Sequence, residues 1–217
     1  MQTKTIKGII ISKTPYAEHD EMLNVLTPDA FINIYAKGVK KTESKNRTNV
    51  LRGAVVDFEI FNAYATQHSV LLKKAVLVQG LPEITKTNAA KIETLLKVIK
   101  HIKGSHKGLY ETYVELINDF DGVNFFKNQS FLLSQILESA GEGLSFSSCV
   151  HCGSNQDLFA FDVLQGGMLC KKHSKINTPL TLLKSLFLLG ESREKYVDNT
   201  SAETNQQVFN ILSNLLF

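Results

Sequence analysis

Apolar and polar residues alternate along much of the first 80 positions of the chain, which is the pattern of strands with one buried face. Polar segments with a proline, such as Thr14-Pro15 and Thr27-Pro28-Asp29, interrupt the alternation and predict turns. The segment 65–68 is predicted to close a hairpin. The predicted strands are residues 3–12, 21–27, 31–37, 55–64 and 69–78.

The third predicted strand has the clearest division between two faces. Period-two alternation gives one side of small and branched apolar residues, which belongs in a core. The other side offers aromatic rings and a cation to whatever lies outside. The two sets are Ile32, Ile34 and Ala36 on the core side, and Phe31, Asn33, Tyr35 and Lys37 on the outer side.

Five short strands in so few residues predict a small closed or nearly closed barrel. An open sheet of this size would leave its edges exposed, and closure removes them. An OB-fold is the natural candidate. We therefore predict that residues 1–80 form an OB-fold domain.

After Gly80-Leu81-Pro82 the hydrophobic period lengthens from two residues to about three and a half, which indicates helices. The first can be capped by Thr87 or Asn88 and stopped by Gly104. The predicted helices are 88–104, 109–120, 125–140, 179–189 and 202–216. The chain is thus predicted to be an α+β protein, with a helical domain over residues 81–217.

Three cysteines and a histidine lie in two pairs with metal-ligand spacing. Two residues lie between Cys149 and Cys152, and two lie between Cys170 and His173. Seventeen residues separate the two pairs. Two such knuckles complete a tetrahedron, which predicts one structural zinc ion with no position left open for water. Residues 149–173 are therefore predicted to be a zinc-binding segment with a small β-hairpin inside it. His151 is a further candidate ligand, but its position inside the first pair is expected to point it away from a site held by its neighbours.

The alternative for these residues is a redox pair or ordinary buried thiols, with His173 a surface histidine. A Cys-x-x-Cys redox motif usually follows a strand at the start of a helix and does not need a second pair. The paired spacing favours zinc.

Charge is concentrated in the first 80 residues, which hold eleven Lys plus Arg against seven Asp plus Glu. Six of these cations lie between Lys37 and Arg52, with Glu43 the only acid among them. The stretch 38–53 has no apolar periodicity and is predicted to be a mobile basic loop. Such a cluster suits a polyanionic partner, although a solvated lysine-rich loop has the same composition.

Several classes of protein are disfavoured by what the sequence lacks. No apolar run approaches about 20 residues and no signal peptide follows Met1, so we expect a cytoplasmic protein. There is no phosphate-binding or dinucleotide glycine loop and no nucleophile elbow. His19-Asp20-Glu21 matches part of a deaminase signature, but Ser148 stands where that signature requires proline. These absences disfavour the enzyme classes that use such motifs.

The chain resembles the RecO family of bacterial recombination mediators over essentially its whole length. The Ala-Lys-Gly run followed by basic residues is the most specific of the shared motifs. The segments that carry the resemblance are Gly8-Ile9-Ile10-Ile11, Tyr16-Ala17-Glu18-His19-Asp20, Ala36-Lys37-Gly38-Val39-Lys40-Lys41 with Ser44 and Arg47, Leu77-Val78-Gln79, and Gly166-Gly167 before Cys170. The family usually has alanine and arginine where this chain has Val39, Lys40 and Lys41, and many members have cysteine where it has His173.

The resemblance implies an N-terminal OB-fold, a helical domain behind it and no enzymatic turnover. It further implies binding of single- and double-stranded DNA and annealing of complementary strands coated with single-strand-binding protein. RecR and the acidic, apolar tail of single-strand-binding protein are the implied partners, with RecA loaded indirectly. The implied location is the bacterial cytoplasm, in association with the nucleoid.

These expectations assign roles to the barrel residues. The cations are expected to contact phosphates, and the aromatic rings are expected to stack on bases. Packing of the two rings under the loop or against the helical domain remains an alternative, as does a zinc-containing adaptor whose barrel binds RNA or protein. The expected DNA-binding residues are Lys37, Lys40, Lys41, Lys45, Arg47, Arg52, Tyr35 and Phe31.

Overall fold

A computed structural model describes residues 2–66, 69–81, 86–100, 108–120, 122–139 and 144–215. The described elements are β1 Thr3–Pro15, β2 Glu21–Leu26, β3 Phe31–Ala36, β4 Val55–Thr66, β5 Ser69–Gln79, α1 Lys86–Lys100, α2 Leu109–Asn118, α3 Phe125–Ser139, β6 Leu158–Asp162, β7 Gly167–Cys170, α4 Leu180–Leu189, α5 Arg193–Asn199 and α6 Ala202–Ser213. The predicted α+β class is confirmed. The predicted end of the first helix at Gly104 lies outside the described residues.

Strands β1–β5 close into a barrel in the order β1-β2-β3-β5-β4. All neighbours are antiparallel except β3 and β5, which pair in parallel at Ile34–Val70 and Tyr35–Leu71. The barrel interior is filled by branched aliphatic and aromatic side chains, among them Ile10, Leu23 and Phe58. The prediction of a closed five-stranded OB-fold barrel is confirmed. On β3, Ile34 and Ala36 are buried and Ile32 is partly buried against the same core.

Strand β1 continues through the predicted break at Thr14-Pro15 and pairs with β2 as far as Pro15–Glu21. The prediction that the strand ends before the proline was wrong, because a proline at the last position of a strand costs no interior ladder bond. Ile9, Ile10 and Ile11 are all fully buried. The pairing of β1 with β4 ends at Ile9, where its pairing with β2 begins, and a register shift follows between Ile10 and Ser12.

The chain divides into two compact units, Met1–Ile117 and Asn118–Phe217. The first unit contains the barrel with α1 and α2. The Tyr113 hydroxyl on α2 donates to the carbonyl of Gly53 at 2.9 Å, and Arg52 pairs with Glu93 on α1 at 2.6 Å. The boundary that we predicted at residue 80 stays a prediction.

The second unit contains α3–α6 and the β6–β7 hairpin. The sequence analysis missed α5, a helix of seven residues that begins after Ser192, whose hydroxyl accepts the Lys195 N–H. Its length hides the helical period, but Tyr196 is fully buried and donates to Asn205 at 2.7 Å. None of the helices in the described part of the chain has the length and apolarity that a membrane span requires.

Candidate nucleic-acid interface and metal centre

Two loops of the barrel meet through one carboxylate. Asp20, at the end of the β1–β2 loop, accepts the backbone N–H of Gly38 at 2.7 Å and the hydroxyl of Tyr35. The Tyr35 hydroxyl and then the Gly38 N–H lower the pKa of Asp20 below its ordinary value, so the carboxylate is charged at neutral pH. Gly38 has a φ of +64°, which a glycine adopts without strain. Asp20 therefore fixes the turn that carries Lys37.

Lys40 joins the same two loops. Its backbone N–H donates to the His19 carbonyl at 3.0 Å, and its Nζ donates to the Ala17 carbonyl at 3.0 Å. The side chain is half-buried, whereas Lys37 and Lys41 on either side are exposed. Lys40 thus supports the loop as well as adding charge, and Lys37 and Lys41 present theirs to solvent.

An aromatic pair lies beside these cations. The rings of Tyr16 and Tyr35 meet edge to face, with centroids 5.2 Å apart and planes at 65°. Tyr16 is 68% exposed, Tyr35 is half-buried, and Phe31 is half-buried further along β3. Tyr16 is not among the predicted DNA-binding residues, although it opens one of the segments that carry the family resemblance. Its position directly after a strand, in the loop that an OB-fold uses to bind oligonucleotides, was the signal available.

The stretch 38–53 is ordered by hydrogen bonds, so the prediction of a mobile loop was wrong. It folds into successive β-turns, in which Lys41, Ser44 and Arg47 donate backbone N–H groups to carbonyls three positions earlier. Val39 and Val50 are buried in the barrel core. Apolar periodicity could not reveal this order, because polar turns and two isolated valines hold the loop. Lys45 and Arg47 are exposed on its outer side.

Arg52 is held in contacts within the first unit. Its Nε donates to the Ile11 carbonyl at 2.9 Å, and its Nη1 lies 2.6 Å from a carboxylate oxygen of Glu93. The structure thus brings Lys37, Lys40, Lys41 and Tyr35 together, and places Lys45 and Arg47 further along the same loop. It positions Arg52 where the loop returns to β4.

The four predicted metal ligands converge in the second unit. The ligand atoms of Cys149, Cys152, Cys170 and His173 all lie within 4.8 Å of one another. His173 Nδ1 is 3.4 Å from the sulfurs of both Cys149 and Cys170, and the sulfurs of Cys152 and Cys170 are 3.9 Å apart. His151 is outside this group, and its Nε2 contacts Gln165 at 2.8 Å.

These distances fit a tetrahedral zinc site. With Zn–S near 2.3 Å and Zn–N near 2.0–2.1 Å, tetrahedral geometry requires about 3.8 Å between sulfurs and about 3.5 Å between sulfur and nitrogen. Burial raises the pKa of Cys149, but the N–H groups of Cys170, Cys152 and His151 and the His173 ring outweigh it and lower the pKa to about 5. The residues present can therefore hold the ion, with one thiol already ionised at neutral pH.

Glycines allow the hairpin to reach this geometry. Gly153 closes the first knuckle with a φ of +70° and donates its N–H to the Cys149 carbonyl at 2.8 Å. Gly167 has a φ of +133°, and a Cβ there would clash with the backbone of Ser145. Close approach of these two backbones forms a bridge that places β7, and so Cys170, opposite the first knuckle.

A small barrel with a cationic and aromatic loop surface, joined to a helical unit with a four-ligand metal cluster, defines a class of OB-fold protein suited to nucleic acid. Comparison with known families is consistent with this class. The model of the N-terminal domain of recombination protein O matches residues 1–81, and the model of its C-terminal domain matches residues 89–213. The chain belongs to the RecO family, whose members act in DNA repair and recombination.

Individual relatives are distant in sequence. DNA repair protein RecO of Lactobacillus helveticus (strain DPC 4571) is 23% identical over 83% of this chain and 75% of its own length. The protein of the same name from Lactobacillus acidophilus is 22% identical over 81% of this chain and 72% of its own. A solved structure of Entamoeba histolytica asparaginyl-tRNA synthetase covers 66% of this chain and 33% of its own, at a TM-score of 0.32 and 9% identity.

Proposed function

We propose that the protein is a non-enzymatic recombination mediator of the RecF pathway. In this role it binds single- and double-stranded DNA, anneals complementary strands coated with single-strand-binding protein, and helps RecR to load RecA. The observation that carries the proposal is the convergence of the β1–β2 loop and the Ala36–Lys41 turn on Asp20, which sets Tyr16 and Tyr35 beside exposed lysines.

The arrangement suits DNA of any sequence. Exposed lysines neutralise phosphates and release counterions, which is independent of sequence and steeply dependent on salt. An exposed ring offers each base a stacking surface worth about 1–3 kcal/mol without regard to its identity. We assign phosphate contacts to Lys37, Lys41, Lys45 and Arg47, and base stacking to Tyr16 with Tyr35 behind it. Phe31, Lys40 and Arg52 complete the proposed site, the last two mainly by positioning the loop.

We further propose that Cys149, Cys152, Cys170 and His173 hold one zinc ion. Four protein ligands fill a tetrahedral site, so the ion's role is to fix the hairpin. RecR and the acidic, apolar tail of single-strand-binding protein are proposed as partners on the strength of family membership.

The test is annealing of two complementary oligonucleotides coated with the cognate single-strand-binding protein. Wild type is compared with Lys37→Glu/Lys41→Glu and with Tyr16→Ala. The charge variant should lose annealing and single-stranded DNA binding, since two phosphate contacts become repulsive. Tyr16→Ala should weaken single-stranded DNA binding by roughly 5- to 150-fold, the equivalent of one stacked base. Its folding should not change, because the ring is 68% exposed.

A matched control is Lys4→Glu/Lys7→Glu, which changes the net charge by the same amount at exposed positions of β1. Equal losses in both charge variants would assign the effect to net charge and remove the site from the loop. Wild type that is folded and zinc-loaded but neither binds nor anneals DNA would contradict the mediator role. The protein would then be an adaptor whose barrel binds RNA or protein.

A further inference from the structure

A bulge in β5 puts two lysines on the outside of the barrel in succession. Glu59 of β4 pairs with Lys74, whereas the next residue, Ile60, pairs with Leu72, so Lys73 is the extra residue. Strict alternation would turn either Lys73 or Lys74 inward. Both are exposed instead. Bulges re-aim side chains in this way and are common beside binding sites.

The two lysines face the basic loop across a groove. The cavity has a volume of about 670 Å³ and is lined by Lys45 from the loop and by Lys73, Lys74 and Val76 from β5. Val76 is 45% exposed and provides an apolar patch among the three cations. A groove with cations along it and an apolar patch inside it matches the chemistry of a single nucleic-acid strand, which has charged phosphates and apolar sugar and base faces.

Asparagine side chains fix the wall of this groove. The Asn46 side-chain amide bonds to the β5 backbone as a neighbouring strand would. Its Nδ2 donates to the Lys73 carbonyl at 3.4 Å, and its Oδ1 accepts the Ala75 N–H at 2.9 Å. Asn49 Oδ1 accepts the Leu77 N–H at 3.4 Å. These contacts hold Lys45 and its neighbours along β5, so the groove continues the surface formed by the loop.

One acid in the groove is already paired. Lys73 Nζ lies 2.7 Å from Glu59, which also accepts the Thr3 hydroxyl at 3.0 Å. The same ammonium lies 6.0 Å from the centre of the Phe61 ring. A phosphate entering the groove would compete with the Glu59 carboxylate for Lys73. Glu59 is thus placed to weaken binding, while Lys74 and Lys45 are placed to strengthen it.

We propose that this groove is a second segment of the DNA site. It binds the sugar-phosphate backbone of a single strand that continues from the surface formed by Tyr16, Lys37 and Lys41. The inference rests on the proposed function and extends it to residues outside the family motifs. Lys74 and Lys45 contact phosphates, Val76 packs against a sugar or base, and Glu59 limits the affinity. A longer bound strand should therefore gain affinity from contacts that a short one cannot reach.

The test measures binding of a labelled single-stranded oligonucleotide by fluorescence anisotropy over a salt series. Lys74→Gln should weaken binding on the order of tenfold at low salt and reduce the salt slope by about 0.7, the loss of one phosphate contact. Glu59→Gln should tighten binding severalfold, because it releases Lys73. The neutral glutamine avoids placing two acids opposite each other on β4 and β5.

Matched controls are available for both changes. Lys7→Gln removes an exposed lysine that is likewise opposite a carboxylate of β4, Asp57. Glu203→Gln removes an exposed acid in the first turn of α6. Neither should move the affinity or the slope by as much as its counterpart. Photocrosslinking from a benzophenone side chain at Val76 should label the bound strand.

The outcomes separate this inference from the function on which it rests. Suppose that Lys37→Glu/Lys41→Glu loses DNA binding, that Lys74→Gln has the same affinity as Lys7→Gln, and that position 76 gives no crosslink. This result would support the mediator function and overturn the proposed groove. Wild type without affinity for DNA would overturn both proposals.

Discussion

Two irregular segments of this protein, the basic loop of the barrel at 38–53 and the metal hairpin at 149–173, are held in different ways. The loop is fixed by separate contacts spread along its length, from Asp20 at its start to Tyr113 at its end. In the hairpin, by contrast, four side chains that could hold a metal ion converge on one point. The difference suggests that the loop should tolerate the loss of any one contact, whereas the hairpin should not.

The charge of each segment follows from this difference. The loop is held by backbone groups, the Asp20 carboxylate, the Tyr113 hydroxyl, two asparagines and the side chains of Lys40 and Arg52. Its other cations, Lys41, Lys45 and Arg47, are exposed to solvent. At the convergent site, the ionisable side chains are themselves the proposed ligands, which would leave them no other role. The first arrangement suits a binding surface, and the second suits a structural support.

The largest expected effect is the loss of one metal ligand. Cys149→Ser should lower zinc affinity by more than about 100-fold, which exceeds the usual cost of a change outside the ligand set. The hairpin should then become susceptible to limited proteolysis, because metal binding and local folding are coupled. Metal content and cleavage sites, measured by mass spectrometry, check the expectation.

His151→Ala is the matched control for that change, since His151 lies in the same knuckle but outside the ligand group. It should keep one zinc ion per chain. A zinc-free wild type whose hairpin resists proteolysis would show that the hairpin is held without the ion, and would remove the contrast between the two segments. One zinc ion per chain in both wild type and Cys149→Ser would show that Cys149 is not a required ligand.

A moderate effect is expected at the far end of the basic loop. Tyr113→Phe removes the hydroxyl that donates to Gly53, and a buried carbonyl without its donor costs about 1–2 kcal/mol. Urea unfolding should show that decrease with an unchanged m value, and the DNA affinity of the folded protein should change little. Tyr110→Phe on the same helix is the control. A loss of all structure in 38–53 would instead make the loop as cooperative as the hairpin.

The smallest effect is expected from Asp20, which is only half-buried. Its folded pKa is below the ordinary value of 3.8, so its contribution to stability is complete above that value and disappears as the pH falls through the folded pKa. Asp20→Asn should therefore be less stable than wild type at neutral pH, and the difference should shrink below about pH 4. Unfolding curves at a series of pH values measure it. A constant difference down to pH 2 would mean that the charge of Asp20 is not what holds the turn.

Part of the candidate site could be predicted because it depends on spacing within short segments. Two residues between the members of each ligand pair are enough to face one ion, so the four ligands followed directly from the sequence. The buried face of β3 followed from its alternation. Tyr16 could not be found in this way, because its importance comes from a contact with Tyr35, which is nineteen positions away.

The sequence by itself determined the barrel, most of the helices, the four candidate metal ligands and the location of the charge. Each of these follows from a local period, a local spacing or a count. Only the tertiary structure decided that the basic loop is ordered, that β1 extends to Pro15, and that a bulge turns Lys73 and Lys74 outward. These depend on partners brought together by the closure of the barrel, such as Asp20 with Gly38 and Asn46 with Ala75. No pattern within a single segment carries that information, because its energy comes from contacts between segments.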